Sequence, residues 1–331
     1  MDDAPVAAVV FAGGLGLAAY HAGAFQAFSE RRLPLHWVAG SSAGAVTAAL
    51  IAGNAQAQRI ERLRAFWNFP PVEDATPAPW RHLAGWMSAI GTRLTGSTGH
   101  FHPRIPPSGP FRFVSLYDLA PMKQRLAQLV DFGRLNGGEM RVSIATTDIE
   151  TGDPVIFDTS ETRIEMDHLL ASCGFLPEFA PVEIGGRLLG DGGLSLNAPF
   201  DSILASPVDR DLHLFVLDLY ARDGRRPNSL EAAAERKNDL LFGNQTFIRL
   251  TCCAELRRLR RQLAGKAQGR GDRIVLLSYR PGLEEPGPEK SFDLSPAAFA
   301  QRWNAGLADM RHAERATGSG GIIVVRRPAK S

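Results

Sequence analysis

The sequence is poor in the residues that build a disulfide framework or a zinc site. It has three cysteines, Cys173, Cys252 and Cys253, and neither a Cys-X-X-Cys pair nor a cysteine–histidine cluster accompanies them. Net charge is also scarce, because 37 lysine and arginine residues are balanced by 35 aspartate and glutamate residues to leave +2. That balance gives no support to a nucleic-acid partner. We therefore expect a protein of a reducing compartment that binds neither zinc nor nucleic acid.

Charged residues are absent from Ala4 to Ser29, a length that approaches a membrane span. The preceding Met1-Asp2-Asp3 is acidic, whereas a secretory signal begins with basic residues. Glycines 13, 14 and 16 interrupt the run where a spanning helix would face lipid. We interpret the run as a buried strand, a glycine turn and a helix, and a membrane segment is the minor alternative. We predict no signal peptide or transmembrane helix and a cytoplasmic location, with peripheral contact at the inner membrane face as a compatible variant.

Short apolar runs that end in glycine alternate with helical segments along the chain. "PVAAVVFAGG" and "LHWVAG" are typical of buried parallel strands, and helices are predicted after each of them. This strand–helix–strand–helix order within about fifty residues is typical of βαβ units. We predict a three-layer α/β/α sandwich around a mostly parallel central sheet. Residues 1–205 are expected to form the core, and residues 206–331 to complete the same α/β domain.

Two stretches keep alternative interpretations. Residues 69–110 show no clear period and are predicted to be irregular, either as a lid or as a surface insertion. Within them, "WRHLAGWMSAI" fits an interfacial lip over a cleft or a hydrophobic plug. "AELRRLRRQLAGKAQGR" places leucines 256, 259 and 263 at helical spacing among basic residues. That pattern fits an anionic membrane surface, but we favour a surface helix that packs one apolar stripe inward.

Ser42 lies in the sequence Gly40-Ser41-Ser42-Ala43-Gly44, after a predicted strand and before a predicted helix. A Gly-X-Ser-X-Gly turn in this context holds its serine in a strained elbow, and the flanking glycines, Gly40 and Gly44, avoid crowding. The start of the following helix stabilises negative charge. We predict Ser42 as a nucleophile and the amide of Ala43 as a donor to the oxyanion.

A second small-residue turn, Gly13-Gly14-Leu15-Gly16, also joins a strand to a helix. Such turns expose backbone N–H groups that bind phosphate or a developing oxyanion. A dinucleotide loop is disfavoured, because the next strand ends in Gly40-Ser41-Ser42 rather than in an acidic residue. Because parallel strands bring their carboxyl ends together, we expect this loop to form an oxyanion hole beside Ser42. The alternative is a pair of close-packed turns without catalytic function.

A third motif, Asp191-Gly192-Gly193, follows a predicted hairpin. Taken alone it is a common surface turn. In company with the other two motifs, however, the chain resembles the patatin-like phospholipases. That family has a glycine-rich oxyanion loop after the first strand, a Gly-X-Ser-X-Gly elbow after the second, and a late Asp-Gly-Gly or Asp-Gly-Ala that carries the other catalytic residue. The order of all three is reproduced here, and the resemblance covers roughly residues 6–205. The remainder resembles the C-terminal extension of one bacterial branch.

The resemblance implies a carboxylic ester hydrolase, of lipase or phospholipase A type, that uses a Ser–Asp dyad and an acyl-enzyme. Asp191 would be the general base on Ser42, and the substrate would be a lipid or phospholipid acyl ester. No metal or organic cofactor is implied. One departure is Leu17, where many members carry arginine or lysine, which bears on preference for anionic phospholipids. A catalytically silent domain for membrane or protein binding is the rival interpretation.

A Ser–Asp–His triad is the alternative to the dyad, and the dyad is favoured. We interpret His213 as a core residue, His312 as a solvated one and His21 as structural. His100 and His102 belong to the irregular segment, from which they could approach the cleft.

Overall fold

The computed structural model of the protein describes residues 5–31, 34–67, 78–104, 115–265, 271–281, 290–315 and 321–325. The strands are β1 (Val6–Phe11), β2 (Trp37–Ser41), β3 (His102–Pro103), β4 (Tyr117–Asp118), β5 (Arg141–Asp148), β6 (Pro154–Asp158), β7 (Val182–Ile184), β8 (Arg187–Asp191), β9 (Leu212–Asp218), β10 (Arg273–Ser278) and β11 (Ile322–Val325). The helices are α1 (Ala19–Glu30), α2 (Ala43–Ala52), α3 (Arg59–Phe66), α4 (Ala78–Thr95), α5 (Ala120–Leu129), α6 (Phe132–Leu135), α7 (Met166–Ser172), α8 (Asp201–Ala205), α9 (Leu230–Leu263) and α10 (Pro296–Arg315).

Nine strands form one mixed sheet in the order β11-β10-β9-β1-β2-β5-β8-β7, with β6 also paired to β5. The six strands from β11 to β5 in this order are parallel to one another, and β6, β7 and β8 are antiparallel to their partners. The short strands β3 and β4 form a separate ribbon. The predicted mostly parallel sheet is therefore confirmed.

The apolar strands are buried on both faces, and alternate residues face opposite layers of helices. Val9 and Phe11 of β1 pack in the larger core cluster together with residues of α1, α2 and α10. Ala8 and Val10 pack in a second cluster with Ile203 of α8 and with α9. The structure is thus the predicted three-layer α/β/α sandwich. Strands from both halves of the chain share its sheet, whereas the division at residue 205 stays a prediction.

The predicted irregular segment at residues 69–110 contains a long helix, α4, so that this prediction is wrong for residues 78–95. Residues 68–77 and 105–114 lie outside the described part. Trp80, Trp86 and Met87 of α4 are exposed, which contradicts a plug at these side chains. The helix is hard to recognise in the sequence because Pro79, Gly85 and Gly91, which are residue types that disfavour helices, occur within it.

The basic end of α9 also differs from the favoured interpretation. Leu256, Leu259 and Leu263 are exposed, whereas Arg257 and Arg261 are buried. Arg257 Nε lies 2.8 Å from Asp272 Oδ2, and Arg261 Nη2 lies 2.6 Å from Asp211 Oδ1. The arginine side chains face inward because they form ion pairs with carboxylates at the start of β9 and β10. These ion pairs, rather than burial of the leucine side chains, set which face of α9 is turned inward.

Helix α5 begins at Ala120. Leu119 is its N-cap residue, although Asp118 still accepts the Ala120 amide at 2.8 Å from Oδ1.

Candidate active site

The register of β5 explains how Ser42 and Asp191 come together. β2 and β6 lie on opposite edges of β5, and β8 continues along the edge that β2 occupies. Ser41, the last residue of β2, is opposite Ala145, and Asp191, the last residue of β8, is opposite Thr146. The two strands therefore run toward each other and end at consecutive positions of β5.

Ser42 forms the sharp turn between β2 and α2. Its φ of 56° is rare for a residue with a side chain and is the strained conformation that a nucleophile elbow requires. The turn is also tightly packed. A Cβ at Gly40 would lie 2.2 Å from the Gly44 carbonyl oxygen, and one at Gly44 would lie 2.0 Å from the Phe11 carbonyl oxygen. Only glycine fits at either position.

Ser172, which the sequence reasoning missed, supports this elbow from α7. The Ser42 amide donates to Ser172 Oγ at 2.8 Å, and Ser172 Oγ donates to the Ala145 carbonyl at 2.7 Å. The chain of bonds links the strained residue to β5. No local motif marks Ser172, because its role depends on how α7 lies against β2 and β5.

Asp191 is buried, and its carboxyl group lies beside the Ser42 hydroxyl. The Gly193 amide donates to Asp191 Oδ1 at 2.6 Å, and Thr147 Oγ1 donates to the Asp191 carbonyl at 2.7 Å. Burial raises the pKa of Asp191 to about 7, although the bonds from Ser42 and Gly193 favour the charged form. A carboxylate with a pKa near neutrality is a far better proton acceptor than an exposed aspartate.

Cys173 is a second residue that the sequence reasoning did not assign to the site. Its buried thiol lies beside Ser42, and burial together with the nearby Asp191 charge holds its pKa well above the usual range. The thiol is thus neutral at physiological pH and presents a compact, weakly polar surface at the nucleophile.

The glycine loop lies beside the elbow, as its predicted role requires. Gly14 and Leu15 have positive φ values of 157° and 47°. Within the described part of the chain, the amide groups of Gly14, Leu15, Gly16 and Ala43 donate to no acceptor. An unpaired row of N–H groups at a helix start is suited to a negative oxygen.

Gly13 differs from the rest of the predicted oxyanion loop. Its amide already donates to Asn197, lying 3.1 Å from the side-chain Oδ1 and 3.1 Å from the main-chain oxygen. Asn197 thereby fixes the start of the loop. A direct role for the Gly13 amide stays a prediction that would require this bond to be exchanged.

Three of the described histidines, His21, His100 and His168, are buried near the elements of the site. The Nδ1 atom of His168, on α7, accepts the Glu165 amide at 2.9 Å. His21 Nε2 lies 3.2 Å from the Leu217 carbonyl oxygen, and burial lowers its pKa to about 3. His100 lines the cavity, is stacked on Trp67 and has its pKa lowered to about 3, mainly by burial. The imidazoles of His21 and His100 are therefore neutral.

The other candidates lie away from Ser42. His102 and His312 are exposed, and His213 is half-buried near the start of β9, at the opposite end of the sheet. Within the described residues, His21 is hydrogen-bonded to the Leu217 carbonyl and His100 to the Ser97 hydroxyl, whereas Asp191 and Cys173 lie beside the Ser42 side chain. The geometry therefore favours the dyad over the triad.

An apolar cavity of about 300 Å³ opens at Ser42 and Asp191. Its volume is that of a small-ligand site. Most of its wall is aromatic or aliphatic, with polar groups from Arg93, Glu178 and Asn238. The apolar lining side chains include Val46, Phe66, Trp67, Leu119, Met122, Phe175, Phe179, Phe242, Phe292 and Leu294. Such a wall suits a hydrocarbon chain.

Neither a cluster of metal ligands nor a membrane-spanning helix is found among the described residues. No three histidine, cysteine, aspartate or glutamate side chains are grouped there as metal ligands would be. No described helix combines the length and hydropathy needed to cross a bilayer.

The structure is that of an α/β protein with a strained serine between strand and helix, a buried aspartate beside it and an apolar cavity at both. The sequence model described as patatin-like phospholipase matches residues 9–204. This chain belongs to the patatin-like phospholipase family. Membership supports lipase or phospholipase activity in general terms. No curated protein matches the sequence.

Solved structures of two bacterial proteins are distantly similar to this chain. VipD from Legionella pneumophila has a TM-score of 0.42 and 13% identity, over 92% of this chain and 67% of VipD. A chain of the ExoU–SpcU complex from the type III secretion system of Pseudomonas aeruginosa has a TM-score of 0.29 and 19% identity, over 76% of this chain and 52% of that one. This protein thus spans about two thirds of VipD and about half of the ExoU–SpcU chain. The likeness is too distant to carry an argument, so the family assignment rests on the sequence match.

Proposed function

We propose that the protein is a serine acyl hydrolase, of lipase or phospholipase A type, that cleaves carboxylic ester bonds of lipids. The observation that carries the proposal is that the buried Asp191 carboxyl group lies beside the Ser42 hydroxyl, which is held on a strained elbow at the same cavity. Family membership and the apolar cavity support a lipid acyl group as the part of the substrate that is bound.

In the proposed reaction, Ser42 Oγ attacks the ester carbonyl carbon while its proton passes to Asp191. The resulting oxyanion accepts hydrogen bonds from the amides of Gly14, Leu15 and Gly16 and from that of Ala43. The tetrahedral intermediate collapses, the C–O bond to the alcohol breaks, and Asp191 returns the proton to the leaving alkoxide. An acyl group then remains on Ser42.

The second half of the reaction repeats these roles with water. Asp191 takes a proton from a water molecule, the hydroxide attacks the acyl carbonyl, and the same amides hold the second oxyanion. Collapse releases the fatty acid, and the proton on Asp191 returns to Ser42 Oγ. Because each step uses the carboxylate as base and the carboxylic acid as acid, a pKa near the working pH serves both.

Access from a membrane surface is supported by helix α4. Trp80, Leu83, Met87 and Leu94 share a face of this helix and are exposed, and residues 78–95 contain no acidic side chain. Arg93, on the same helix, lines the cavity. We propose that this face lies on an anionic lipid bilayer and brings the cavity to the substrate. The cytoplasmic location stays a prediction.

A fluorophosphonate ester tests the nucleophile, because it forms a covalent bond with an activated serine. We expect the folded protein to be labelled at Ser42 and to hydrolyse ester substrates, and Ser42→Ala to lose both. Ser41→Ala is the matched control, since it removes the neighbouring hydroxyl from β2 and is expected to remain labelled. A folded wild-type protein that stays unlabelled would contradict the proposal of a serine hydrolase and favour the catalytically silent alternative.

A further inference from the structure

A buried arginine from the C-terminal half contacts the back of the glycine loop. Arg302 of α10 is fully buried, and its Nη1 donates to the Gly16 carbonyl oxygen at 3.1 Å. The same guanidinium donates to the carbonyl oxygens of Asp293 at 2.8 Å and of Lys290 at 2.7 Å. The loop from Gly13 to Ala18 has no charged side chain of its own.

The segment that Arg302 holds is packed directly on the loop. A Cβ at Gly16 would lie 2.5 Å from Leu294 Cδ2 and 2.9 Å from the Ser291 carbonyl oxygen. Lys290 is buried as well, and its Nζ lies 2.7 Å from Glu235 Oε1 of α9. Arg302 therefore joins three parts of the chain: the loop, residues 290–293 and, through Lys290, helix α9.

Helix α10 has little freedom to move relative to the loop. It packs on α1, which follows the loop directly, and a Cβ at Gly23 of α1 would lie 1.8 Å from the Trp303 carbonyl oxygen. Tyr20 adds a bond from its hydroxyl to Asp309 Oδ2 at 2.9 Å. This contact fixes the register in which the guanidinium meets Gly16.

We infer that Arg302 is a positioning residue for the oxyanion loop. In a helical turn the carbonyl groups point one way and the unpaired N–H groups the other. When Arg302 holds the Gly16 carbonyl at the back, the amides of Gly14, Leu15 and Gly16 stay directed toward the site of Ser42. Its buried positive charge also favours negative charge on the far side of the loop. Residues beyond the family match thus complete the site.

The arginine at position 257 offers a matched control. Arg257 is also buried and also bonds main-chain carbonyls, but it does so at the start of β9 and β10, at the opposite end of the sheet from Ser42. Replacing either arginine by methionine removes a buried cation and the hydrogen bonds that it donates to main-chain carbonyl groups. Both variants are therefore expected to lower the free energy of unfolding. Only Arg302→Met removes a contact to the glycine loop.

Two measurements test the inference. In hydrogen–deuterium exchange, peptides that cover residues 12–20 are expected to exchange at least tenfold faster in Arg302→Met than in Arg257→Met. In steady-state kinetics on a soluble ester, with sites counted by fluorophosphonate, kcat is expected to fall about 10²-fold in Arg302→Met, by analogy with loss of an oxyanion donor. KM should change little, because the cavity wall is retained. Arg302→Lys keeps the charge and part of the hydrogen bonding, so its loop exchange rate and its kcat should be intermediate. This variant also tests the inference if Arg302→Met does not fold.

The kinetic readout rests on the proposed function, whereas the exchange readout does not. If the wild-type protein is inert but the loop peptides exchange faster in the Arg302 variants, the positioning role holds and the hydrolase proposal fails. If the protein is active but the Arg302 variants match Arg257→Met in both loop exchange and kcat, the positioning role is overturned.

Discussion

At the scale of single residues, the site contains two features that lower the stability of the folded state, which the rest of the fold offsets. Ser42 occupies a strained backbone conformation, and Asp191 places an ionisable group in an apolar interior. Each is unfavourable for stability, and each is useful for the proposed chemistry, since strain exposes the hydroxyl and burial makes the carboxylate a better base. Ser172 and Gly193 hold these two residues in place.

The pKa of Asp191 leads to a prediction about pH. The proposed base must be deprotonated, and its pKa is about 7, so kcat/KM should rise about tenfold per pH unit below 7 and level off above it. Asp191→Asn keeps the size of the side chain but cannot accept the proton, and kcat should fall about 10²–10⁴-fold. A pH–rate profile on a soluble ester checks both. A profile that is flat from pH 5 to 9 would contradict the assignment.

The same shift predicts a stability effect of opposite sign. Between the unfolded pKa of about 3.9 and the folded value, the folded state retains a proton that the unfolded state releases. The stability contributed by Asp191 is therefore present below pH 4 and is lost as the pH rises to 7 and beyond. Asp191→Asn should raise Tm by several degrees at pH 8 and have little effect at pH 4.

Asp218 is the matched control for both effects. Burial raises its pKa to about 7 as well, and its Oδ1 accepts the Tyr220 amide at 3.2 Å rather than the Ser42 hydroxyl. Asp218→Asn should thus stabilise the protein at pH 8 but leave kcat and the pH–rate profile unchanged. Equal losses of activity in the two variants would point to a general effect of the substitution.

At the scale of elements, α4 stands out because its apolar face is turned to solvent. Its inner side packs through Ala89 in a small aromatic cluster with Phe101, Tyr117 and Phe292, and the Tyr117 hydroxyl donates to the Arg93 carbonyl at 2.8 Å. The helix is therefore anchored beside the cavity while its outer face remains apolar. Exposed aromatic and aliphatic side chains on a cationic helix are typical of an interfacial element.

The proposed lipid contact predicts a split between substrates. Trp80→Ser with Met87→Ser should lower hydrolysis of anionic phospholipid vesicles at least tenfold, since about 1.5–3 kcal/mol of burial is lost per side chain. Hydrolysis of a soluble short-chain ester should change less than twofold. Leu241→Ser with Ile248→Ser is the control, because these α9 residues have the same spacing and are 60% and 58% exposed, against 65% and 62% for Trp80 and Met87. Equal losses in both pairs, or a loss on the soluble ester, would contradict the proposal.

At the scale of the whole molecule, the family match ends at residue 204, but the sheet does not. β1 is hydrogen-bonded to β9 from Val6–Leu212 to Phe11–Leu217, and β10 and β11 extend the sheet from there. Ser291, Phe292 and Leu294 add to the cavity wall. The residues after 204 thus supply one edge of the sheet and part of the cavity wall.

A fragment of residues 1–205 tests this dependence. Its β1 would have an open, fully apolar edge, which favours aggregation over folding. We expect the fragment to show no cooperative thermal unfolding and no fluorophosphonate labelling, in contrast to the full chain. Circular dichroism melts and labelling of the two proteins side by side decide the matter. A cooperatively folded fragment that labels at the wild-type rate would show that the matched region is sufficient.

Local sequence patterns are enough to predict the local features of this protein. Buried strands, the order of strand and helix, and the elbow at Ser42 follow from apolar runs and from glycines that only one backbone geometry accepts. The three motifs in order also pointed to the family. These signals are readable because each depends on residues close together in the chain.

Contacts between residues that are distant in the chain depend on the tertiary fold. The register of β5 brings Asp191 to Ser42, and the packing of α10 on α1 brings Arg302 to Gly16. The inward turn of Arg257 and the outward face of α4 ran against local patterns, because partners far along the chain outweigh the pattern of a single helix. Contacts of this kind depend on how strands pair and helices cross, which a one-dimensional pattern does not specify.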